Sequence, residues 1–276
     1  MNINRIAILG SGSMGTAILS GLLASGFDSS KVTITTKTEA NADKLADELG
    51  VTALALETQP TANAAAVAGA DVVLVAVKPA YVVEVLKEAA QTLNADALVI
   101  SVAAGITTAS MEAAVPGTVA VVRSMPNTPA IVGRAVTGIS PGSRVSEKQL
   151  ETALELFETV GRVVVLPEEQ IDALSTISGS GPAYVFYLIE QLTLAAQEMG
   201  FAEDVAAMLV EETFAGATEL LSASNQSPEA LRKQVTSPNG TTMQAVAVLE
   251  QAELAKLFNK ATEAALARAK EIASGK

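Results

Sequence analysis

The sequence predicts an α/β fold in two parts: a doubly wound parallel sheet over residues 1–164, then an all-α domain over residues 165–276. Three observations carry this reading. Short apolar runs alternate with amphipathic helical stretches through the first part, the order that builds parallel sheets. The first run, Ile6-Ala7-Ile8-Leu9, ends at Gly10 and enters a helical stretch through the spacing Gly10, Gly12, Gly15. From Glu168 onward no strand-like run appears, and apolar residues recur at helical spacing.

The glycine loop comes first in the chain and organises the rest. Gly10 permits a tight turn, Gly12 lets backbone close on a pyrophosphate, and Gly15 lets a helix pack on the strand. Ser11, Ser13 and Met14 complete the loop. The free N–H groups and positive end of the helix over 14–24 then face phosphate. The alternative is a plain strand-to-helix turn with accidental glycines. The strand–turn–helix context, five residues into an alternating chain, favours a Rossmann-like dinucleotide site.

The remaining elements follow in order. Residues 32–35 read as a second strand after Gly26, and 39–49 as a helix stopped by Gly50. Residues 51–54 are a short third strand. Residues 71–77 are nearly continuous in apolar side chains, as a strand buried on both faces requires. A helix over 81–93, a strand over 97–102, a helix near 108–114 and a strand over 119–123 come next. Ser146 and Gln149 form a capping box. The helix behind it carries Leu150, Leu154, Phe157 and Val160 on one face and stops at Gly161. Residues 162–166, closed by Pro167, are the last strand. Beyond them, 182–199, 203–222 and 253–273 read as helices, the last with Leu254, Leu257, Phe258, Ala261 and Ala265 on one face. These Ala-rich helices hold more apolar positions than one bundle of their size buries. That points to a homo-oligomer through the C-terminal helices, with a tight monomeric bundle as the alternative.

Composition narrows the function classes. A length of 276 residues suits two domains. A net charge of −12 excludes nucleic acid and anionic membranes as partners, since both require basic patches. The chain has no cysteine, so no disulfide framework, thiol nucleophile or Cys-based metal site is expected. It also has no histidine, which removes the usual proton carrier near neutral pH. A Ser-His-Asp hydrolase and a His-assisted alcohol dehydrogenase are thereby excluded. No signal peptide precedes the first strand, and no apolar run reaches the roughly 20 residues of a membrane span. The expectation is a soluble, cytoplasmic protein.

Ligands of open α/β sheets sit beyond the carboxyl ends of the strands. Three segments fall there. Ala76-Val77-Lys78-Pro79 places a lysine between a buried strand and a helix start, where it lines the crevice or is simply a solvated loop residue. Ser101-Val102-Ala103-Ala104-Gly105 has small residues that admit a flat ring or merely pack tightly. Met125-Pro126-Asn127-Thr128-Pro129 is stiffened by its prolines around Asn127. At the end of the second strand the chain reads Thr35-Thr36-Lys37-Thr38, hydroxyls and a cation where an acidic residue would bind a ribose diol. That suits a 2′-phosphate and favours NADPH, with NADH as the alternative and Glu39 as its diol ligand.

The helical domain has two Gly/Ser-rich segments. Ser178-Gly179-Ser180-Gly181-Pro182-Ala183-Tyr184 joins two helices, with Pro182 at a first helical position. Val235-Thr236-Ser237-Pro238-Asn239-Gly240-Thr241-Thr242 runs a Pro-Asn-Gly turn into a helix start rich in hydroxyls. Hydroxyls, free N–H groups and a helix dipole together suit a carboxylate, though each segment also reads as an ordinary cap.

Taken together, these segments resemble the pyrroline-5-carboxylate reductase family over essentially the whole chain. Met-Pro-Asn-Thr-Pro, Ser-Gly-Ser-Gly-Pro-Ala-Tyr and Thr-Ser-Pro-x-Gly-Thr-Thr, in this order, carry the resemblance. It implies reduction of a cyclic imine acid to proline with NADPH or NADH. It also implies cofactor contacts from the glycine loop, Thr36, Lys37, Asn63 and Ala76–Pro79, with Ala103 and Asn127 beside them. Ser237, Gly240, Thr241, Thr242 and Ser180 would hold the substrate, with Thr242 near the imine nitrogen and Lys78 an electrostatic positioner. The family pairs C-terminal domains into homodimers, often in rings of dimers. Two departures stand out. Asn239 stands where the family has glycine, and a carboxylate usual about thirteen residues before the Ser-Pro pair is unmatched, with Asn225 in that region. A β-hydroxyacid dehydrogenase shares the architecture, but no lysine or arginine lies between residues 163 and 231 to serve as its base. A non-catalytic NADP-binding sensor would not need the second domain's two polar segments.

Overall fold

The computed structural model describes residues 3–273. The chain alternates strand and helix as follows: β1 (Ile6–Leu9), α1 (Ser13–Ala24), β2 (Val32–Thr36), α2 (Glu39–Leu49), β3 (Thr52–Ala55), α3 (Ala62–Val67), β4 (Val72–Val75), α4 (Val82–Ala89), β5 (Leu98–Ser101), α5 (Thr108–Glu112) and β6 (Ala120–Met125). Then come β7 (Ala135–Pro141), α6 (Glu147–Glu158), β8 (Gly161–Val165) and α7 (Glu168–Leu174). The helices α8 (Gly181–Glu198), α9 (Glu203–Ala223), α10 (Pro228–Gln234), α11 (Thr241–Gln251) and α12 (Leu254–Ala273) complete it.

One eight-stranded sheet has the order β3-β2-β1-β4-β5-β6-β7-β8. β1 lies between β2 and β4, parallel to both, so the strand order reverses there. Alternate side chains of each strand feed two core layers. On one face Ile8, Ile34, Leu74 and Ile100 pack with Ile18 and Leu22 of α1 and Phe157 of α6. Gly21 permits this approach, because a Cβ there would overlap Val160. On the other face Leu9, Val73, Val75 and Val99 pack with Val82 and Leu86 of α4 and Met111 of α5.

The structure corrects the expected topology in one place. The sheet is not wholly parallel: β7, unforeseen from the sequence, runs antiparallel to β6 and carries β8 parallel to itself. Gly138 breaks the apolar alternation of β7, and its reason lies elsewhere in the chain. A Cβ on Gly138 would come within 2.8 Å of Leu174 Cδ1 and 3.4 Å of Ile171 Cδ1. Glycine lets α7 lie directly on the strand. The expected helix over 81–93 is shorter, a 3-10 turn over Pro79–Tyr81 followed by α4.

The chain divides into two compact units, one reaching Ser180 and including the stretch from Ala265, the other Gly181–Ala264. This division falls after the expected border at 164/165, because α7 is tied to the sheet. Arg123 on β6, nearly fully buried, pairs with Asp172 and lies 3.5 Å from Glu168 Oε1. Glu168 also accepts from the Thr108 N–H and hydroxyl at 2.7 and 2.6 Å. In the second unit, α8 and α9 pack together, and the rings of Tyr184 and Phe258 meet at 6.2 Å. Only Ala206 and Val210 are buried among its described residues.

Candidate functional site

The glycine loop lies at the carboxyl end of β1, where the strand order reverses. Gly10 has φ +86°, and a Cβ there would sit 2.7 Å from Val77 Cγ1, so only glycine fits. A Cβ on Gly15 would meet the Gly10 carbonyl at 2.9 Å and Ala76 Cβ at 3.2 Å, which sets α1 hard against the strand ends. A Cβ on Gly12 would meet nothing within 4 Å, so the backbone there faces open space. Gly12 is also the N-cap of α1 and offers no side chain to its first N–H groups.

The loop is held from below. Gly10 N–H donates to Thr35 Oγ1 at 3.1 Å, Thr35 Oγ1 donates to Asn63 Oδ1 at 2.9 Å, and Ser11 N–H donates to the Thr35 carbonyl at 2.9 Å. Asn63 is buried and serves this scaffold, standing under the loop. Thr35, which the sequence offered among the hydroxyls at the end of the second strand, is the pivot. Ser11 Oγ is buried without a hydrogen-bond partner. A dinucleotide fits these residues: its pyrophosphate finds open space at Gly12, uncapped N–H groups at the start of α1 and an unpaired hydroxyl at Ser11.

Around the loop, Ala76 N–H donates to the Leu9 carbonyl at 2.8 Å, and Val77 packs on Gly10. Lys78 is exposed at the N-cap of the 3-10 turn begun by Pro79. β2 ends at Thr36, whose hydroxyl donates to the Thr38 carbonyl at 2.8 Å, leaving Lys37 exposed beside it. Glu57, which the sequence did not mark, accepts the Glu39 N–H at 3.0 Å and so caps α2 from the next strand's end. Ala103 is buried, its N–H donating to Ser101 Oγ at 3.2 Å. Asn127 is buried too, and both ends of its amide bond within the protein: Nδ2 donates to the Ser178 carbonyl and Oδ1 accepts from the Val136 N–H, each at 2.9 Å. Ser180 is half-buried at the end of the π-helical turn Ser175–Gly179.

The second unit carries the other polar segment. Ser237-Pro238-Asn239-Gly240 is a tight turn with Gly240 N–H donating to the Ser237 carbonyl at 3.0 Å. Asn239 has φ +59°, so asparagine does adopt the left-handed backbone that this turn demands. Gly240 is the N-cap of α11 and offers no capping side chain. A Cβ at Gly240 would collide with Ser237 Oγ at 2.5 Å, so glycine lets that hydroxyl lie over the helix start. Thr241 and Thr242 follow, both exposed. The result is a set of hydroxyls around unclaimed N–H groups, a setting for a small carboxylate.

A dinucleotide-dependent oxidoreductase with a helical second part is the class that this sheet order and this loop define. Residues 5–105 match the family described as NADP oxidoreductase coenzyme F420-dependent, and residues 168–272 match pyrroline-5-carboxylate reductase dimerisation. The chain is 37% identical to a pyrroline-5-carboxylate reductase of Corynebacterium melassecola, over 98% of this chain and 99% of that one. It superposes on a pyrroline-5-carboxylate reductase structure from Coxiella burnetii with a TM-score of 0.90 at 37% identity, covering 98% of each chain. A Plasmodium falciparum pyrroline carboxylate reductase with NADP bound gives 0.83 at 25% identity, covering 99% of this chain and 98% of that one.

The chain belongs to the pyrroline-5-carboxylate reductase family. It is an oxidoreductase that reduces pyrroline-5-carboxylate to proline, the final step of proline biosynthesis. No helix among the described residues is long and apolar enough to cross a membrane.

Proposed function

We propose that this reductase draws its hydride from NADPH and that α11 receives the substrate carboxylate. The observation that carries the reading is the start of α11, where Gly240 leaves the first N–H groups unclaimed and Ser237 Oγ lies above them. Ser237, Gly240, Thr241 and Thr242 hold the carboxylate, with Ser180 as a further substrate contact and Thr242 Oγ1 beside the imine nitrogen. The glycine loop, Thr36–Lys37 and Ala76–Pro79 hold the dinucleotide, and the exposed Lys37 ammonium pairs with the 2′-phosphate. The NADP in the P. falciparum relative supports this choice over NADH.

A bound reduced nicotinamide supplies the hydride. The rest is orientation. A protonated imine is already electrophilic, so this chain needs no imidazole to activate it and has none. Its residues fix the ring by the carboxylate and offer a hydroxyl at the nitrogen, while Lys78 adds positive charge near the strand ends. The second unit, with Phe186, Tyr187 and Leu220 more than half exposed, pairs with a second copy through its helices. The match to a dimerisation family over 168–272 supports this.

Thr242→Ala tests the substrate assignment. We expect kcat/KM for pyrroline-5-carboxylate to fall about 100-fold, a size usual for a group serving proton transfer, with NADPH affinity retained. Nicotinamide absorbance follows turnover, and ligand titration follows binding. An equal loss of both would move Thr242 away from the substrate.

A further inference from the structure

Two segments far apart in sequence, Met125–Asn127 and Ser178–Pro182, have reasons for existing that appear only when they are considered together. In a regular helix the N–H of residue 182 would donate to the carbonyl of residue 178. Residue 182 is proline and has no N–H to give. At this place the chain leaves α-helical bonding. Ser175–Gly179 form a π-helical turn, and Ser180 N–H donates five residues back, to the Ser175 carbonyl at 2.9 Å. The Ser178 carbonyl accepts from Asn127 Nδ2, fifty-one residues earlier, at 2.9 Å. The orientation of that amide is fixed from its other end, because Oδ1 takes the Val136 N–H. Met125 supports the same turn: a Cβ on Gly179 would lie 3.2 Å from Met125 Cε. Asn127 is 7% exposed, so loss of the bond would leave polar groups poorly served by water.

We infer that Asn127 is a positioning residue: it supplies the donor that Pro182 withholds, and so holds the Ser178–Ser180 turn in the register that presents Ser180 to the substrate. The last clause rests on the reading of Ser180 given above. Asparagine is required because one side chain must donate to Ser178 and accept from Val136 at once. The sequence alone gave Asn127 a different task, direct contact with the cofactor, and the two assignments predict different behaviour.

A double-mutant cycle separates them. Asn127→Asp keeps the acceptor for Val136 and removes the donor; Pro182→Ala restores a backbone N–H that can serve Ser178 in its place. For Asn127→Asp we expect kcat/KM for pyrroline-5-carboxylate to fall about tenfold, with the NADPH dissociation constant almost unmoved. In the Pro182→Ala background the same substitution should lose most of its effect on kcat/KM and on the thermal midpoint. Independent, additive costs would overturn the inference. So would a loss of NADPH affinity equal to the loss in kcat/KM, which would return Asn127 to the cofactor. An Asn127→Asp protein that does not fold supports the inference if the double variant folds, and overturns it if neither does. If the wild-type protein fails to oxidise NADPH with pyrroline-5-carboxylate, the functional reading fails, and the thermal midpoints of the four proteins still decide whether Asn127 and Pro182 are coupled.

Discussion

The two units of the chain handle apolar surface in opposite ways. In the first, a sheet with helices on both faces closes over Ile8, Ile18, Leu74, Val99 and Phe157, all fully buried. In the second, helices of comparable hydrophobicity leave Phe186 66% and Leu220 55% exposed, and a solvent-open apolar recess is lined by Phe214, Leu221, Pro228 and Leu231. The first unit closes a core of its own. The second has the apolar residues of a core without the partner surface that would make one. Exposed apolar surface on that scale marks an interface, which is how the same sequence chemistry yields a self-sufficient domain and a dependent one.

That contrast can be broken experimentally. Phe157→Ala should cost about 3–5 kcal/mol of stability, the usual range for an aromatic core truncation, and the loss should not depend on protein concentration when followed by denaturant unfolding. Phe186→Lys should behave otherwise. It should barely affect a lone chain, where surface changes stay within about 0.5 kcal/mol, yet halve the mass seen by sedimentation and remove the concentration dependence that unfolding of the paired wild type shows. A Phe186→Lys protein of unchanged mass would mean that α8 faces solvent in the working molecule. Lys37→Ala sharpens the comparison from the side of the complete unit. It should raise the KM for NADPH about tenfold, the order expected for one charge-assisted contact, and leave that for NADH unchanged.

The smallest effect concerns Asp28. Its carboxylate accepts from the Ser30 hydroxyl at 2.7 Å and the Ser30 N–H at 3.0 Å. The hydroxyl bond first, then the backbone bond, and least the Lys31 charge hold its pKa below the ordinary aspartate value, with desolvation opposing them. A carboxyl whose pKa is lowered by folding adds stability above its unfolded value, and loses it as pH falls through the lower folded value. Asp28→Asn should therefore lower stability slightly at neutral pH, leave it unchanged in strong acid, and so flatten the acid limb of the stability curve. NMR titration of the carboxyl carbon reads the shift directly.

Most of the sheet was legible in the sequence, because buried parallel strands are written as unbroken apolar runs and the glycine loop has a fixed spacing. β7 was not legible. Its Gly138 looks like a break until Leu174 and Ile171 are seen lying against it. The short helix α3 was missed for the same reason, since it depends on contacts between distant residues. At the candidate site, residue types and positions could be read, but not what their side chains bond to. The internal bonds of Asn63 to Thr35, and of Asn127 to Val136 and Ser178, could not be read from the sequence. The bonds of Thr35 under the loop and the cap from Glu57 gave no signal, because their partners lie about twenty residues or more away.

The turn at Ser237–Gly240 has a thermodynamic consequence. Pro238 has its φ set by a ring, Asn239 stands in a left-handed well, and Gly240 is pressed under a hydroxyl. That stretch gives up its freedom when the chain folds, not when a molecule arrives. A substrate of very few atoms can return only a limited binding energy, and at the site proposed for it none would be consumed in ordering this turn.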